Sequence, residues 1–237
     1  MNIILSSILD YYVKDENGNK IAITLKNSNQ ILDNIKKYAS PFNKVVFVAN
    51  WPIAHEENDI RTATFIESFK LAGLHFKENI LLDDRNMQNA NKILNGANLI
   101  ILYGGKCLCQ IDFLKEINFK QQIQNFTGLI IGVSAGAMNL CRTVFNFPEE
   151  EQFLDEPRVF HGLNYYNEII IPHFDGKHCK YQFDLDIDVV NDYILPYSNE
   201  NKLIGIPNDS YIFIKNDKIT YFGNIYTIYK GKCTRIN

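Results

Sequence analysis

Short apolar runs alternate along the chain with longer segments in which apolar and polar residues are mixed. Three runs, Lys44–Asn50, Asn98–Tyr103 and Leu129–Ile131, are rich in β-branched or aromatic residues and predict buried strands. Another strand is predicted over Lys77–Leu82. Because helical segments separate these strands, we expect right-handed crossovers and a mostly parallel sheet.

The helices between the strands are predicted from their apolar spacing and their end signals. The first would begin at Asn58 or Asp59 and continue through Ala72, with Gly73 ending it. Its apolar face would carry Ile60, Ala63, Ile66 and Phe69. Further helices are predicted around Gln88–Leu94 and from about Ile111 to Gln124.

The two ends of the chain have a different pattern. Ile8–Leu25 contains the turn sequence Asp15–Asn19 and predicts a hairpin, since Asn-Gly supplies the positive φ angles of a tight turn. Tyr211–Tyr229 predicts an antiparallel meander at an edge of the sheet. The expected class is therefore α/β, with a mostly parallel central sheet and antiparallel strands at the termini.

Composition limits the class of partner. The chain has 237 residues and is 46% hydrophobic, enough for one domain over residues 1–237. A net charge of −3 argues against nucleic acid as a partner, and no apolar run is long enough for a membrane span.

The N-terminal residues lack a signal-peptide pattern, so we expect a cytoplasmic protein. Five cysteines without framework spacing are expected to remain thiols, and no metal or cofactor is predicted.

The most informative motif is Gly132–Gly136, which reads Gly-Val-Ser-Ala-Gly and has Ser134 at its centre. It follows an apolar strand and precedes a helix-like stretch, which is the context of a nucleophile elbow. The small neighbours allow the strand and the helix to approach closely, and the helix N-terminus favours negative charge on a substrate oxygen. Ser134 is therefore the candidate nucleophile.

A serine nucleophile needs a base and a group that orients the base. His173 is the favoured base because it follows Glu168–Pro172, a strand that ends at proline. His161 and His178 are weaker candidates, while the upstream histidines, His55 and His75, fit surface or edge positions. The acidic triplet Glu149–Glu151 lies between the serine and the histidine and offers the orienting carboxylate.

These residues together resemble peptidase family S51, which includes dipeptidase E and cyanophycinase. The resemblance rests on Gly-x-Ser-Ala-Gly-Ala after a strand, Gly104-Gly105 at the preceding strand end, and Pro-His-Phe about forty residues after the serine. It implies a three-layer, class I glutamine amidotransferase-like (flavodoxin-like) fold. It also implies Ser134 as nucleophile, His173 as general base and the backbone N–H groups of Gly105 and Ala135 as oxyanion hole.

The same resemblance places the triad acid at Glu149, fifteen residues after the serine, and Glu150 and Glu151 stay open as alternatives. Lys106 departs from the family pattern, which often has asparagine there. The expected substrate is a small peptide, because the arginine cluster that cyanophycinases carry after the histidine is absent here. Cations that could meet an acidic substrate are Lys106, Lys177, Lys180 and Arg142.

Two other functions stay open at this point. One is an esterase or amidase of the α/β-hydrolase type, which shares the elbow, and the other is a non-catalytic binding or regulatory member of the amidotransferase-like fold. The sequence also leaves open a homodimer and a role of the N-terminal hairpin in subunit contact.

Overall fold

A computed structural model describes residues 1–147, 158–179 and 188–237. The strands of this part are β1 Asn2–Ser6, β2 Tyr12–Lys14, β3 Lys20–Ala22, β4 Lys44–Val48, β5 Glu78–Leu82, β6 Leu99–Leu102, β7 Leu129–Val133, β8 Thr143–Phe145, β9 Val159–His161, β10 Ile169–Pro172, β11 Leu203–Ile206, β12 Tyr211–Lys215, β13 Lys218–Phe222, β14 Tyr226–Tyr229 and β15 Lys232–Arg235. The helices are α1 Ile31–Tyr38, α2 His55–Leu71, α3 Ala90–Leu94, α4 Cys107–Glu116, α5 Phe119–Gln122, α6 Ala135–Leu140 and α7 Leu195–Ser198. Short 3₁₀ turns precede α1 and α3, and a π-helical turn precedes α7.

The central sheet has seven strands in the order β13-β12-β1-β7-β6-β4-β5. The five adjacent strands β1, β7, β6, β4 and β5 are parallel to one another. Strands β12 and β13 add an antiparallel edge next to β1. The predicted α/β class, with its mostly parallel sheet, is therefore confirmed. The prediction did not include β1, which lies inside the sheet between β7 and β12 rather than at an edge.

Both faces of the central sheet are covered. Alternate side chains of β4, β6 and β7 enter two separate apolar clusters, since successive residues of a strand point to opposite faces. One cluster includes Ile100, Ile130 and residues of α4 and α6, and the other includes Ile101, Ile131 and residues of α1 and α2. This arrangement produces three layers.

A second sheet has the order β10-β11-β14-β15, with β10 and β11 parallel. The C-terminal meander therefore divides between two sheets, because β13 pairs within the central sheet whereas β14 pairs with β11. The predicted N-terminal hairpin is present as β2 and β3. In the described residues, no helix combines the length and the apolar character required to cross a membrane.

Two helix predictions were wrong in detail. The helix α2 begins at His55, before the predicted cap, and buries Thr62, Phe65 and Phe69 while Ile60 is half exposed. Thr62 can lie on the buried face because its Oγ1 donates to the Asn58 carbonyl within the helix at 2.7 Å. The helix predicted over Ile111–Gln124 is divided into α4 and α5 at Asn118, whose φ is 50°.

Candidate active site

Ser134 is the corner residue between β7 and α6. Its backbone has φ 51° and ψ −114°, outside the usual regions for a residue with a side chain. A Cβ at Gly132 would lie 2.6 Å from Ala137 Cα, and one at Gly136 would lie 2.3 Å from the Leu102 carbonyl oxygen. Glycines are thus required at both positions for α6 to pack directly against the strand backbone.

His173 meets Ser134 from the second sheet. It follows β10, its φ is 63°, and its Nε2 lies 2.9 Å from Ser134 Oγ. The His173 N–H donates to Ser7 Oγ at 3.0 Å, and the Ser7 hydroxyl donates to the Ile206 carbonyl at 2.6 Å. Ser7 therefore connects the end of β1 in the central sheet to the end of β11 in the second sheet.

Asn208 occupies the other side of the imidazole ring. Its Oδ1 lies 2.7 Å from His173 Nδ1. Since an amide oxygen only accepts hydrogen bonds, the proton lies on Nδ1 and the Nε2 lone pair faces the Ser134 hydroxyl. Burial lowers the pKa of His173, and the Asn208 hydrogen bond partly offsets this effect. The ring is therefore neutral near pH 7, as a general base requires.

Sequence reasoning missed Asn208, although a signal was present. It stands in Pro207-Asn208-Asp209, directly after the apolar strand Leu203–Ile206. Because β11 runs parallel to β10, the residues that follow the two strands emerge at the same edge. A polar residue after β11 is therefore brought next to His173.

The acids that the sequence offered, Glu149, Glu150 and Glu151, lie outside the described residues. Among the described residues, the other candidate histidines do not hydrogen-bond to Ser134. His161 ends β9 with an exposed side chain, and His178 is exposed beside Asp175, at 3.7 Å. Of the upstream pair, His75 is exposed and His55 bonds Asp84 at 2.6 Å.

Both predicted oxyanion donors belong to residues near the serine, since Ala135 follows it in the chain and Gly105 lines the same cavity. Ala135 opens α6 directly after Ser134, and Gly105 has a φ of 126°. Within the described residues, neither backbone N–H has a hydrogen-bond partner. A Cβ at Gly105 would lie 2.3 Å from Asn50 Nδ2 and would also be strained at this φ, so the position strongly favours glycine.

Arg61 holds the glycine turn in place. Its Nη1 donates to the Gly104 carbonyl at 2.7 Å and to Asn50 Oδ1 at 2.9 Å, while Nη2 pairs with Glu57 at 2.6 Å. Its guanidinium also lies 5.2 Å from the centre of the Tyr103 ring. No local sequence pattern indicates this role, because the contacts join α2 to loops that follow two different strands.

A cavity of about 230 Å³ opens at Ser134 and His173. Its wall includes the aromatic residues Tyr11, Tyr12, Phe65 and Tyr103 and the cations Lys20 and Arg61. Of the cations proposed from the sequence, Lys106, Lys177 and Arg142 do not line this cavity in the described structure, and Lys180 lies outside the described residues. The structure thus places a different pair of cations beside the serine.

Comparisons with known proteins identify the family and the fold. The model of peptidase family S51 matches residues 22–222. A search of curated proteins finds no match. Two solved structures are similar over the whole chain. A peptidase from an acI-B1 Actinobacterium has 15% identity and a TM-score of 0.68, with 100% of this chain and 93% of that chain covered.

The second is a putative peptidase E protein from Listeria monocytogenes EGD-e, with 16% identity and a TM-score of 0.58, and 100% and 98% of the two chains covered. At these identities, the likeness shows the fold. The family match shows more, because it extends over most of the sequence and includes Ser134, His173 and Asn208. The resemblance noted from the motifs is confirmed: the chain belongs to peptidase family S51 and is a serine peptidase.

Proposed function

We propose that the protein cleaves small peptides through an acyl-enzyme, with Ser134 as nucleophile and His173 as general base. The observation that carries the proposal is the 2.9 Å distance between Ser134 Oγ and His173 Nε2. It lies within the range required for proton transfer between a nucleophile and its base.

In the first step, His173 Nε2 takes the Ser134 proton while Oγ attacks the peptide carbonyl carbon. The N–H groups of Gly105 and Ala135 hold the resulting oxyanion. The C–N bond then breaks, and the amine leaves with the proton from His173. Water, deprotonated by the same imidazole, releases the acid from Ser134 and restores the enzyme.

We assign Asn208 as the residue that orients His173. The 2.7 Å contact between Asn208 Oδ1 and His173 Nδ1 supports this role, since it fixes the tautomer that the first step needs. An amide orients the ring without adding negative charge. The assignment of Glu149, with Glu150 and Glu151 as alternatives, stays a prediction from the family resemblance.

Labelling with a fluorophosphonate probe tests the nucleophile and the base. We expect labelling of the unmodified protein, none in Ser134→Ala and strong loss in His173→Ala, with circular dichroism unchanged in all three. Loss of a triad serine lowers turnover by about a million-fold. Labelling that persists in folded Ser134→Ala would contradict the proposal.

Separate variants distinguish the orienting residues. Asn208→Ala should slow labelling strongly, because the ring loses its fixed tautomer. Asn208→Asp should keep activity and move the acidic limb of the pH profile upward, since a carboxylate favours the imidazolium. Glu149→Gln, Glu150→Gln and Glu151→Gln test the acid: if one of them abolishes labelling while Asn208→Ala does not, the assignment of Asn208 is wrong.

A further inference from the structure

The N-terminal hairpin forms part of the cavity beside Ser134. Tyr11, Tyr12 and Lys20 line this cavity together with Ser134 and His173. The match to family S51 begins at residue 22, so these three residues precede the part of the chain that the family pattern covers. The hairpin therefore contributes side chains to the wall of the cavity at the candidate nucleophile.

The hairpin has a defined position. Tyr11 stacks on Phe65 of α2, with ring centroids 3.6 Å apart and an interplanar angle of 11°. At the turn, the Asp15 carboxylate accepts hydrogen bonds from Asn17 N at 2.9 Å and Asn19 N at 2.8 Å. These contacts fix the register in which Lys14 lies opposite Lys20. The two lysines are cross-strand neighbours, but Lys14 is exposed whereas Lys20 lines the cavity.

Lys20 has no close carboxylate partner among the described residues. Its side chain is half-buried, and its Nζ lies 5.4 Å from the centre of the Tyr12 ring. Among the described residues, no carboxylate lies within 4.0 Å of Nζ. Burial lowers the pKa of Lys20, and the Arg61 charge lowers it further, while the Glu57 charge offsets part of this decrease. A bound anion would offset both effects.

Arg61, the other cation of the cavity, already has hydrogen-bond partners within the protein. Arg61 pairs with Glu57 and donates to Gly104 and Asn50, so that its nitrogens hold the turn beside Ser134. Glu57 is therefore engaged with Arg61. Lys20 is the cation of this cavity whose ammonium is available to a ligand.

We propose that the hairpin is a specificity element and that Lys20 binds a carboxylate of the peptide substrate. The proposal rests on the proposed peptidase function. Two groups of a small peptide supply this chemistry: an acidic side chain on the acyl side, or the terminal carboxylate on the leaving side. An ammonium paired with a carboxylate at a half-buried site strengthens binding by a charge-assisted hydrogen bond.

The test uses four dipeptides that differ only in these groups: Asp-Leu, Asp-Leu amide, Asn-Leu and Asn-Leu amide. Values of kcat/KM are measured for the unmodified protein, Lys20→Met, Lys20→Arg and Lys14→Met. The Lys14 variant is the matched control, because Lys14 lies opposite Lys20 on the same hairpin but is exposed and does not line the cavity. Binding is also measured by calorimetry on Ser134→Ala and on Ser134→Ala with Lys20→Met.

We expect Lys20→Met to lower kcat/KM by about 10- to 100-fold for peptides with the recognised carboxylate and by much less for those without it. Lys20→Arg should retain most of the preference, and Lys14→Met should behave as the unmodified protein. A loss confined to the two Asp peptides assigns the acidic side chain, and one confined to the two free acids assigns the terminal carboxylate.

An equal effect of Lys20→Met on all four peptides, or no effect, would overturn the proposal. So would failure of every carboxylate peptide to bind Ser134→Ala. Fluorophosphonate labelling separates this failure from failure of the peptidase function, because Lys20→Met should still label at Ser134. A protein that binds the peptides through Lys20 but is never labelled would retain the specificity site and lose the proposed chemistry.

Discussion

At the residue scale, the proposed nucleophile and the proposed base are both held in backbone conformations that ordinary residues avoid. Ser134 has a φ of 51° and His173 a φ of 63°. Such strain persists only where surrounding contacts determine the geometry. Here two consecutive residues at the end of β1 supply these contacts: the Ser6 carbonyl accepts the Ser134 N–H at 2.8 Å, and Ser7 Oγ accepts the His173 N–H at 3.0 Å.

Replacing Ser7 by alanine should impair both stability and catalysis. The substitution leaves the His173 N–H and the Ile206 carbonyl without this buried partner, which costs about 1–3 kcal/mol of unfolding free energy. We expect kcat to fall more than KM changes, since the imidazole loses its position. Urea unfolding and steady-state kinetics measure the two effects.

Ser68→Ala is the control for Ser7→Ala. Ser68 is equally buried, but its hydroxyl has no hydrogen-bond partner in the described structure. We therefore expect this variant to be neutral or stabilising and fully active. Equal losses in both variants would show that Ser7 acts only through packing.

The pH dependence of activity should show the lowered pKa of His173. Burial disfavours the imidazolium, so the folded pKa lies below the ordinary value of 6.5. The neutral base then persists as pH falls through 6.5, and activity is lost only at lower pH. The acidic limb of kcat/KM against pH for the free enzyme measures this, and a midpoint above 6.5 would contradict the expectation.

At the element scale, the close packing of α6 on β6 determines where Ser134 lies. A methyl group at Gly136 would meet the Leu102 carbonyl at 2.3 Å, and backbone cannot move aside as a flexible side chain can. The helix would have to shift away from the sheet. Since Ser134 caps this helix, the shift would also displace its hydroxyl from His173.

Gly136→Ala should therefore lose both stability and activity. Overpacking of this kind costs about 1–3 kcal/mol, to be measured by urea unfolding. Gly96→Ala is the comparison, because Gly96 has a φ of 74° and open space where a Cβ would be. That variant should cost about 1 kcal/mol through backbone strain alone and keep full activity. Full activity in Gly136→Ala would show that the helix tolerates the methyl group.

At the scale of the whole molecule, the order of strands gives the N-terminus a central structural role. β1 lies between β7 and β12, and it connects the parallel strands to the antiparallel edge. Ser6, its last residue, accepts the Ser134 N–H, and Ser7, the next residue, accepts the His173 N–H. If Ser134 and His173 act as proposed, stability and catalysis depend on the same strand.

Matched substitutions in an inner and an edge strand test this role. Ile4→Ala removes a fully buried side chain from β1 and should cost about 2–5 kcal/mol. Ile219→Ala, on the edge strand β13, removes a side chain that is 45% exposed and should cost less than about 1 kcal/mol. Thermal unfolding of both proteins checks the ranking, and similar losses would contradict it.

The sequence by itself determined the elements whose signals are local. Buried parallel strands are continuous apolar runs, so β4, β6 and β7 were predictable, and a glycine-flanked serine after such a run indicated the corner at Ser134. His173 was found for the same reason, since a strand ending at proline precedes it. The fold class followed from the alternation of these strands with helices.

Only the tertiary structure decided which residues from distant segments meet. Asn208 reaches His173 because two parallel strands end at one edge, and Lys20 reaches the cavity because a hairpin packs on α2. The buried face of α2 likewise combines Phe65 and Phe69 with hydroxyl residues such as Thr62, a combination that apolar spacing alone does not predict. Contacts of this kind depend on strand order and side-chain packing, which the local pattern of a sequence does not encode.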